Sequence, residues 1–435
     1  MEQIESPVVS VKAPLVWFPT LKREMWILTA GQFLLFMGEG FTLIYASIYF
    51  VNELGFSPTE VGLAQGSVGI AGLLGRFWAG NAVDSKHVGR RGTLMLAAAI
   101  TAIGSFLLAF ATTLPLLIGA NLFLGLGISL YWPAVLAVIT DLTTPDNRTE
   151  AIALTRLADN LGLGMGTLLA GQYLAISGNY SVLFISKGLA YLIFGMVIFW
   201  AIAETRQPHT EPRPLLKNWW HALQDKRLLI YLSANVFFTT YAVQLSSTLP
   251  LYLANFVPAG NTQTGFSEQL INYFFVWHTL LKILLQLPIT RWLRAVSHVS
   301  ILLVSLILWM GSFGLVWLTG VVLYYPALVA LSAFAFLAIA EILYRPSATA
   351  LVGDIAPVTQ RGVYFALESE CWAIGFLVGP PLGGWALDHP AVLGIHIWLV
   401  LGASGGLTGM FLLLLRGQLA DSNLLLSAKE DPLSP

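Results

Sequence analysis

Ten ionisable side chains lie inside long apolar stretches of this 435-residue chain: Glu39, Arg76, Arg156, Asp159, Lys187, Lys282, Glu341, Arg345, Glu368 and Glu370. A charge in such surroundings costs about 3 kcal/mol or more, so each is a functional candidate by default. Five acids against five bases suggest pairing. Glu341 and Arg345 are four apart, share a helix face with Tyr344 nearly alongside, and read as an ion pair. Arg156 and Asp159, three apart, can neutralise each other. Glu39, in "FMGEGFTLIY", has no charged neighbour within a turn. It suits a proton carrier, a counter-charge for a cationic ligand, or a partner for Arg345 or another base across a cavity. His278 and Lys282, four apart, form either a titratable pair or a satisfied histidine. Lys187 lies near one end of its segment and is expected to snorkel. Glu368 and Glu370 suit a solvated or gating role.

The elements that must hold these groups are long and greasy. The chain is 56% hydrophobic and only 10% charged, against about 25% charged for a soluble domain. Apolar segments fall at 25–51, 58–82, 93–111, 115–140, 149–175, 181–203, 229–256, 268–289, 299–319, 325–352, 362–387 and 393–415. Each is long enough to cross a bilayer as a helix, which predicts an all-α integral membrane protein of twelve transmembrane helices. The first segment is too long for a signal-peptide core. With both termini cytoplasmic, 17 of the 22 basic residues fall on inner loops and tails, and the other five lie inside helices. This is a strong positive-inside bias. The expected organisation is a cytoplasmic tail (1–24), a six-helix half (25–203), a cytoplasmic linker (204–228), a second half (229–415) and a tail (416–435). Within the linker, "LKNWWHALQ" reads as an interfacial amphipathic helix. The single cysteine, Cys371, excludes an internal disulfide and reads as a small buried hydrophobe.

The two halves repeat. Residues 131–171 align without a gap to 344–384 at a constant offset of 213, with eleven of 41 positions identical. Tyr131/Tyr344, Pro133/Pro346, Asp141/Asp354, Arg148/Arg361, Gly162/Gly375, Gly166/Gly379 and Gly171/Gly384 coincide. Repeated halves with a binding site near the midplane describe secondary transporters.

From about 25 to 416 the chain resembles the major facilitator superfamily. "GRFWAGNAVDSKHVGRRGT" (75–93) is similar to that family's loop between helices 2 and 3, usually Gly-x-x-x-Asp-Arg/Lys-x-Gly-Arg-Arg/Lys. Gly80 and Asp84 keep the spacing, while Gly89, Arg90 and Arg91 follow two residues late. The resemblance implies that Asp84 faces the N-terminus of helix 11, near Gly362. It also implies that Arg90 or Arg91 pairs with Asp141 at the end of helix 4. Such a cytoplasmic gate latches the halves in the outward-facing state, with Asp354 and Arg361 repeating Asp141 and Arg148. Helix 11 carries Gly375, Gly379, Pro380, Gly383 and Gly384, a close-packing and kinking motif. The family's antiporter signature takes a Gly-Pro form in helix 5, where this chain has Thr167. Drug–proton antiporters usually carry an arginine in helix 4 where "NLFLGLG" has Asn121.

By the same resemblance helices 1 and 10 line a central cavity, which brings Glu39, Glu341, Tyr344 and Arg345 toward cargo. Tyr241, Gln244 and Thr248 form one stripe of helix 7 and, with Tyr131 and Trp132, suit an aromatic, hydrogen-bonding pocket. No phosphate-cradling glycine loop or metal-ligand spacing occurs, so no cofactor, metal or enzymatic constellation is expected. The expected partners are a small-molecule substrate, a proton as coupling ion and the lipid bilayer, with no nucleic acid and a monomeric chain. The reading is an alternating-access transporter of the plasma (inner) membrane exporting small amphipathic or drug-like molecules against protons. Its alternatives are proton-coupled uptake of a sugar or organic acid, facilitated diffusion if Glu39 and Glu341 are permanently paired, and a non-transporting receptor or assembly factor.

Overall fold

The computed structural model describes residues 21–205, 215–258, 265–357 and 360–430, all helices and connecting turns, with no strand among them. Most of the expected N-terminal tail, 206–214 of the expected linker and the last residues of the C-terminal tail lie outside the described residues. The first six long helices are α1 (Arg23–Glu53), α2 (Pro58–Asp84), α3 (Gly89–Ala109), α4 (Leu114–Leu142), α5 (Pro145–Ser177) and α6 (Ser181–Ala201). A short helix, Leu215–Ala222, precedes the second six. These are α7 (Lys226–Gln244, continued by Thr248–Asn255 after a 42° bend), α8 (Glu268–Trp292), α9 (His298–Thr319), α10 (Pro326–Ile355), α11 (Arg361–Asp388) and α12 (Ile397–Glu430).

Nine of the twelve are long and apolar enough to cross a membrane on composition alone, counting the bent α7 as one. The other three, α2, α5 and α11, have 27, 33 and 28 residues. At 1.5 Å per residue each also spans a bilayer core. Local sequence sets their limits. Ser57 and Glu60 form a capping box ahead of α2, with Pro58 in the first turn. Thr144, Pro145 and Asn147 do the same for α5, which stops at Gly178 in the left-handed region (φ 63°).

The repeat is a repeat of packing. In the first half α1 packs on α5 and α6, α3 on α4 and α6, and α2 on α4. In the second half α7 packs on α11 and α12, α9 on α10 and α12, and α8 on α10. The halves meet along α2–α11 and its symmetry mate α5–α8. The α2–α11 seam is close because glycine lines it: a Cβ on Gly66 would lie 2.6 Å from the Pro381 ring, and one on Gly69 2.5 Å from the Leu377 nitrogen.

The two ends of the bundle differ. The knot at 85–91 and the basic ends of α7, α8 and α11 define one face, here the basic face; the loops of the far face contain no lysine or arginine. On the far face the halves are tied together. Asn52 and Asn255 exchange two amide hydrogen bonds of 3.1 and 2.8 Å, Thr59 donates to Asp388 at 2.7 Å, and Tyr180 donates to Glu268. Between the two ends, α5 meets α8 at Gly164 and Thr279 and, farther out, at Gly171 and Asn272. Among the described residues α4 and α10 have no extensive packing on each other. Among the described residues the halves are tied at the far face, and α4 and α10 leave an opening at the basic face.

Candidate functional site

Two arginines stand in the opening. Arg156 is eleven residues into α5 from Pro145 and Arg345 ten residues short of the end of α10 at Ile355. On a helical rise both lie about 15 Å in from the basic face, the middle of a bilayer core. The Arg156 guanidinium lies over Trp132 at 4.6 Å and that of Arg345 over Trp372 at 4.8 Å. Their side chains are 46% and 51% exposed, and the two cations are within electrostatic reach of each other.

The acids are tucked away. Glu39 accepts hydrogen bonds from Lys187 Nζ at 2.9 Å and Tyr191 at 2.6 Å, and Lys187 also reaches Thr42. Sequence reasoning missed this pair. Lys187 does not snorkel: it is almost fully buried, and its partner is in its own half rather than across the cavity. Glu341 is a hub, with Lys282 Nζ at 2.6 Å, Arg345 at 3.5 Å and His278 Nε2 at 3.7 Å. The helix pair Glu341–Arg345 and the helix pair His278–Lys282 are thus one cluster. Asp159 meets Arg156 at 3.5 Å, and its other oxygen, buried, has no partner among the described residues. Glu370 joins Arg76 at 3.3 Å across the α2–α11 seam. Glu368 makes no hydrogen bond or ion pair among the described residues, though Arg76 and Arg345 are within electrostatic reach.

Beneath the opening, a matched bridge closes each half. Gln32 of α1 donates to the Tyr131 hydroxyl of α4 at 3.1 Å; the Tyr344 hydroxyl of α10 donates to Asn235 of α7 at 2.7 Å. The tyrosine equivalence was visible in the 213-residue offset, but their amide partners were not. Tyr241 and Gln244, expected in the pocket, belong elsewhere. Tyr241 is buried against Trp309 and Phe313 and hydrogen-bonds Ser404 and Thr408. Gln244 donates to the Gly379 carbonyl at 3.0 Å, tying α7 to α11. A period of 3.6 shows which residues share a face, not which neighbour that face meets. Asn121 is buried and bonded to its own helix at Leu117.

At the basic face the knot ties elements of one half. Arg90, not Arg91, pairs with Asp141. Arg91 lies over Phe199 of α6 and donates to its carbonyl, and the Glu204 carboxylate accepts from the Arg90 and Arg91 amides at 3.0 and 3.2 Å. That carboxylate caps α3. No described contact of the knot reaches the other half; the side chains of Gly80 and Asp84 lie outside the described residues. In the second half His298 and Asp354 take the places of Arg90 and Asp141, at 3.7 Å. Arg148 reaches the Thr140 carbonyl at 3.4 Å, and Arg361 is exposed at the start of α11. The glycines of α11 divide their work: Gly375 and Gly383 fit against α7 at Thr239 and Gln244, Gly379 sits beside Thr240, and Gly384 meets Pro58 of α2, whose Gly62 meets Pro380. Gly162 and Gly166 seat α5 on Phe33 and Met37 of α1.

The family model described as "Major Facilitator Superfamily" matches residues 28–257 and 253–434. The multidrug resistance protein MdtH of Yersinia pestis (strain Pestoides F) is 25% identical over 376 residues, covering 85% of this chain and 89% of the relative. A Na(+), Li(+), K(+)/H(+) antiporter of Planococcus maritimus is 23% identical over 396 residues, covering 83% and 90%. Among solved structures, nucleoside transporter NupG superposes with a TM-score of 0.74 at 15% identity, covering 91% of this chain and 99% of that one. The last likeness is one of fold.

Proposed function

Because the chain belongs to the major facilitator superfamily, we propose that it is a secondary active transporter that exports small amphipathic molecules, coupled to protons, by alternating access. The observation that carries this reading is the asymmetry of the bundle: tied at the far face, parted between α4 and α10, with charged and aromatic side chains at the depth of the bilayer middle. The basic face is then cytoplasmic by the positive-inside rule, and the conformation is inward-open in a plasma membrane. The organisation proposed is two halves, 25–203 and 229–415, joined by a cytoplasmic linker, with one chain sufficient for transport. Relatives named as a multidrug resistance protein and an antiporter favour export.

The coupling group proposed is Asp159. Glu39 and Glu341 are each held by a lysine at 2.9 Å or less, whereas Asp159 has one oxygen free and a partner, Arg156, that faces the opening. A second reading, co-transport of an organic acid with a proton, is favoured by the open arginines. An anion that draws Arg156 away leaves Asp159 ready to take a proton, so both bind together.

The deciding measurement uses inside-out vesicles with an acidic lumen and a panel of lipophilic cations, sugars and organic acids. Export by exchange predicts that adding cargo alkalinises the lumen, and that Asp159→Asn abolishes the response. Cargo that acidifies the lumen further would replace exchange by co-transport. No proton movement with any compound, while labelled cargo still crosses, would leave facilitated diffusion.

A further inference from the structure

We propose that Arg156 and Arg345 form a single anion site shared by the two halves, so that the cargo is a small organic molecule bearing a carboxylate, sulfonate or phosphate group. This deepens the transporter reading and rests on it, but not on the direction of transport. Four observations converge. The guanidinium groups stand at one depth on opposite halves and within electrostatic reach of each other. Each lies over a tryptophan ring, a cation–π contact that holds the guanidinium without using its N–H donors.

Third, three of the five acids in these helices are already engaged, while Asp159 keeps one oxygen without a partner and Glu368 has none among the described residues. Glu39 is held by Lys187 and Tyr191, Glu370 by Arg76, and Glu341 is shared by Lys282 and Arg345. Fourth, the arginines are barely committed. A guanidinium carries five donors, yet each touches its own acid through one nitrogen at 3.5 Å. What the opening offers a ligand is therefore positive charge in a fork geometry that matches an oxyanion. An anion bridging both arginines also pulls α5 and α10 together, which is the motion that closes the basic face.

The test uses purified full-length protein in detergent at fixed ionic strength. Benzoate, benzenesulfonate and phenyl phosphate are compared with benzamide and benzylamine by thermal shift and titration. We expect at least one anion to bind about tenfold or more tighter than its neutral and cationic matches. Arg156→Gln and Arg345→Gln should each weaken it about tenfold or more, as expected for charge-assisted bonds. Arg→Lys at either position should weaken it less, and Arg345→Glu should move the preference to benzylamine. A structural role for the arginines predicts no such transfer. Preference of the wild type for the amine, no binding by any anion, or anion binding unchanged in both Gln variants overturns the site. Uptake of labelled compounds into proteoliposomes separates the two readings. Transport of a panel member without anion preference sinks the site and leaves the transporter. Anion binding to the wild type without passage of that anion sinks the transporter and leaves the site.

Discussion

The two halves reach the same arrangement with exchanged residues. In the first, the tryptophan is on α4 (Trp132) and the arginine on α5 (Arg156); in the second, the arginine is on α10 (Arg345) and the tryptophan on α11 (Trp372). At the 213-residue offset Trp132 aligns with Arg345 and Asp159 with Trp372, so a position-by-position comparison records two mismatches. In space they are one cation on one indole, twice. The repeat conserves the interaction rather than the side chain, since a stacked pair is equally well made from either helix. Where the halves truly differ is in their buried acids. Glu39 serves a single cation, Lys187, whereas Glu341 serves Lys282 and Arg345 with His278 beside it. The first half is balanced, and the second leans positive around its acid.

The largest expected effect tests that difference. Glu39→Gln strands Lys187, and Glu341→Gln strands Lys282, whose side chains are only 6% and 14% exposed. Removing one partner of a buried pair costs about 3–5 kcal/mol, read as a fall in melting temperature of the purified protein. Replacing both partners is about neutral when the pair is self-contained. Glu39→Gln with Lys187→Met should therefore regain nearly all the lost stability. Glu341→Gln with Lys282→Met should regain only part, because Arg345 and His278 still lack their acid. Equal recovery in both halves would show that Glu341 is a simple pair and remove the asymmetry.

A smaller effect separates the two seams between the halves. A Cβ at Gly69 of α2 meets the α11 backbone, 2.5 Å from the Leu377 nitrogen, and backbone cannot turn aside. At Gly164 of α5 it meets a side-chain methyl of Thr279 on α8, at 3.0 Å. Gly69→Ala should cost about 1–3 kcal/mol as overpacking, and Gly164→Ala less than about 1 kcal/mol. Melting temperatures in the reverse order would mean that α5–α8, not α2–α11, is the tighter seam.

Much of the architecture was legible because hydrocarbon thickness dictates it. The eighth segment, expected at 268–289, is the helix Glu268–Trp292, and the tenth, expected at 325–352, is Pro326–Ile355. Pairing between helices was far less legible. Glu39 and Lys187 are 148 residues apart and Arg76 and Glu370 are 294 apart, and no local pattern links residues that only tertiary packing brings together. Equal numbers of acids and bases announced that pairs exist without saying which. Trp372 was overlooked for a different reason. An aromatic in a membrane helix has no signature that distinguishes a lipid-facing ring from one beneath a cation.

The bridges under the opening show how far the symmetry extends and offer the last test of it. Gln32 and Asn235 are related by an offset of 203, not the 213 that relates Tyr131 to Tyr344, so α1 and α7 have slipped ten residues against α4 and α10 in the sequence. The hydrogen bond has survived with its direction reversed. The first amide donates to its tyrosine and the second accepts from it, and all four residues are buried. Removing a hydroxyl leaves a buried amide group unpartnered, worth about 1–2 kcal/mol. Tyr344→Phe should be the costlier of the two, because its bond is shorter, 2.7 against 3.1 Å. Since neither hydroxyl faces the opening, anion binding should be unchanged in both variants. A loss of binding in Tyr131→Phe or Tyr344→Phe comparable to that in the arginine variants would place the bridges inside the site, and the functional boundary of each half would have to move one layer deeper.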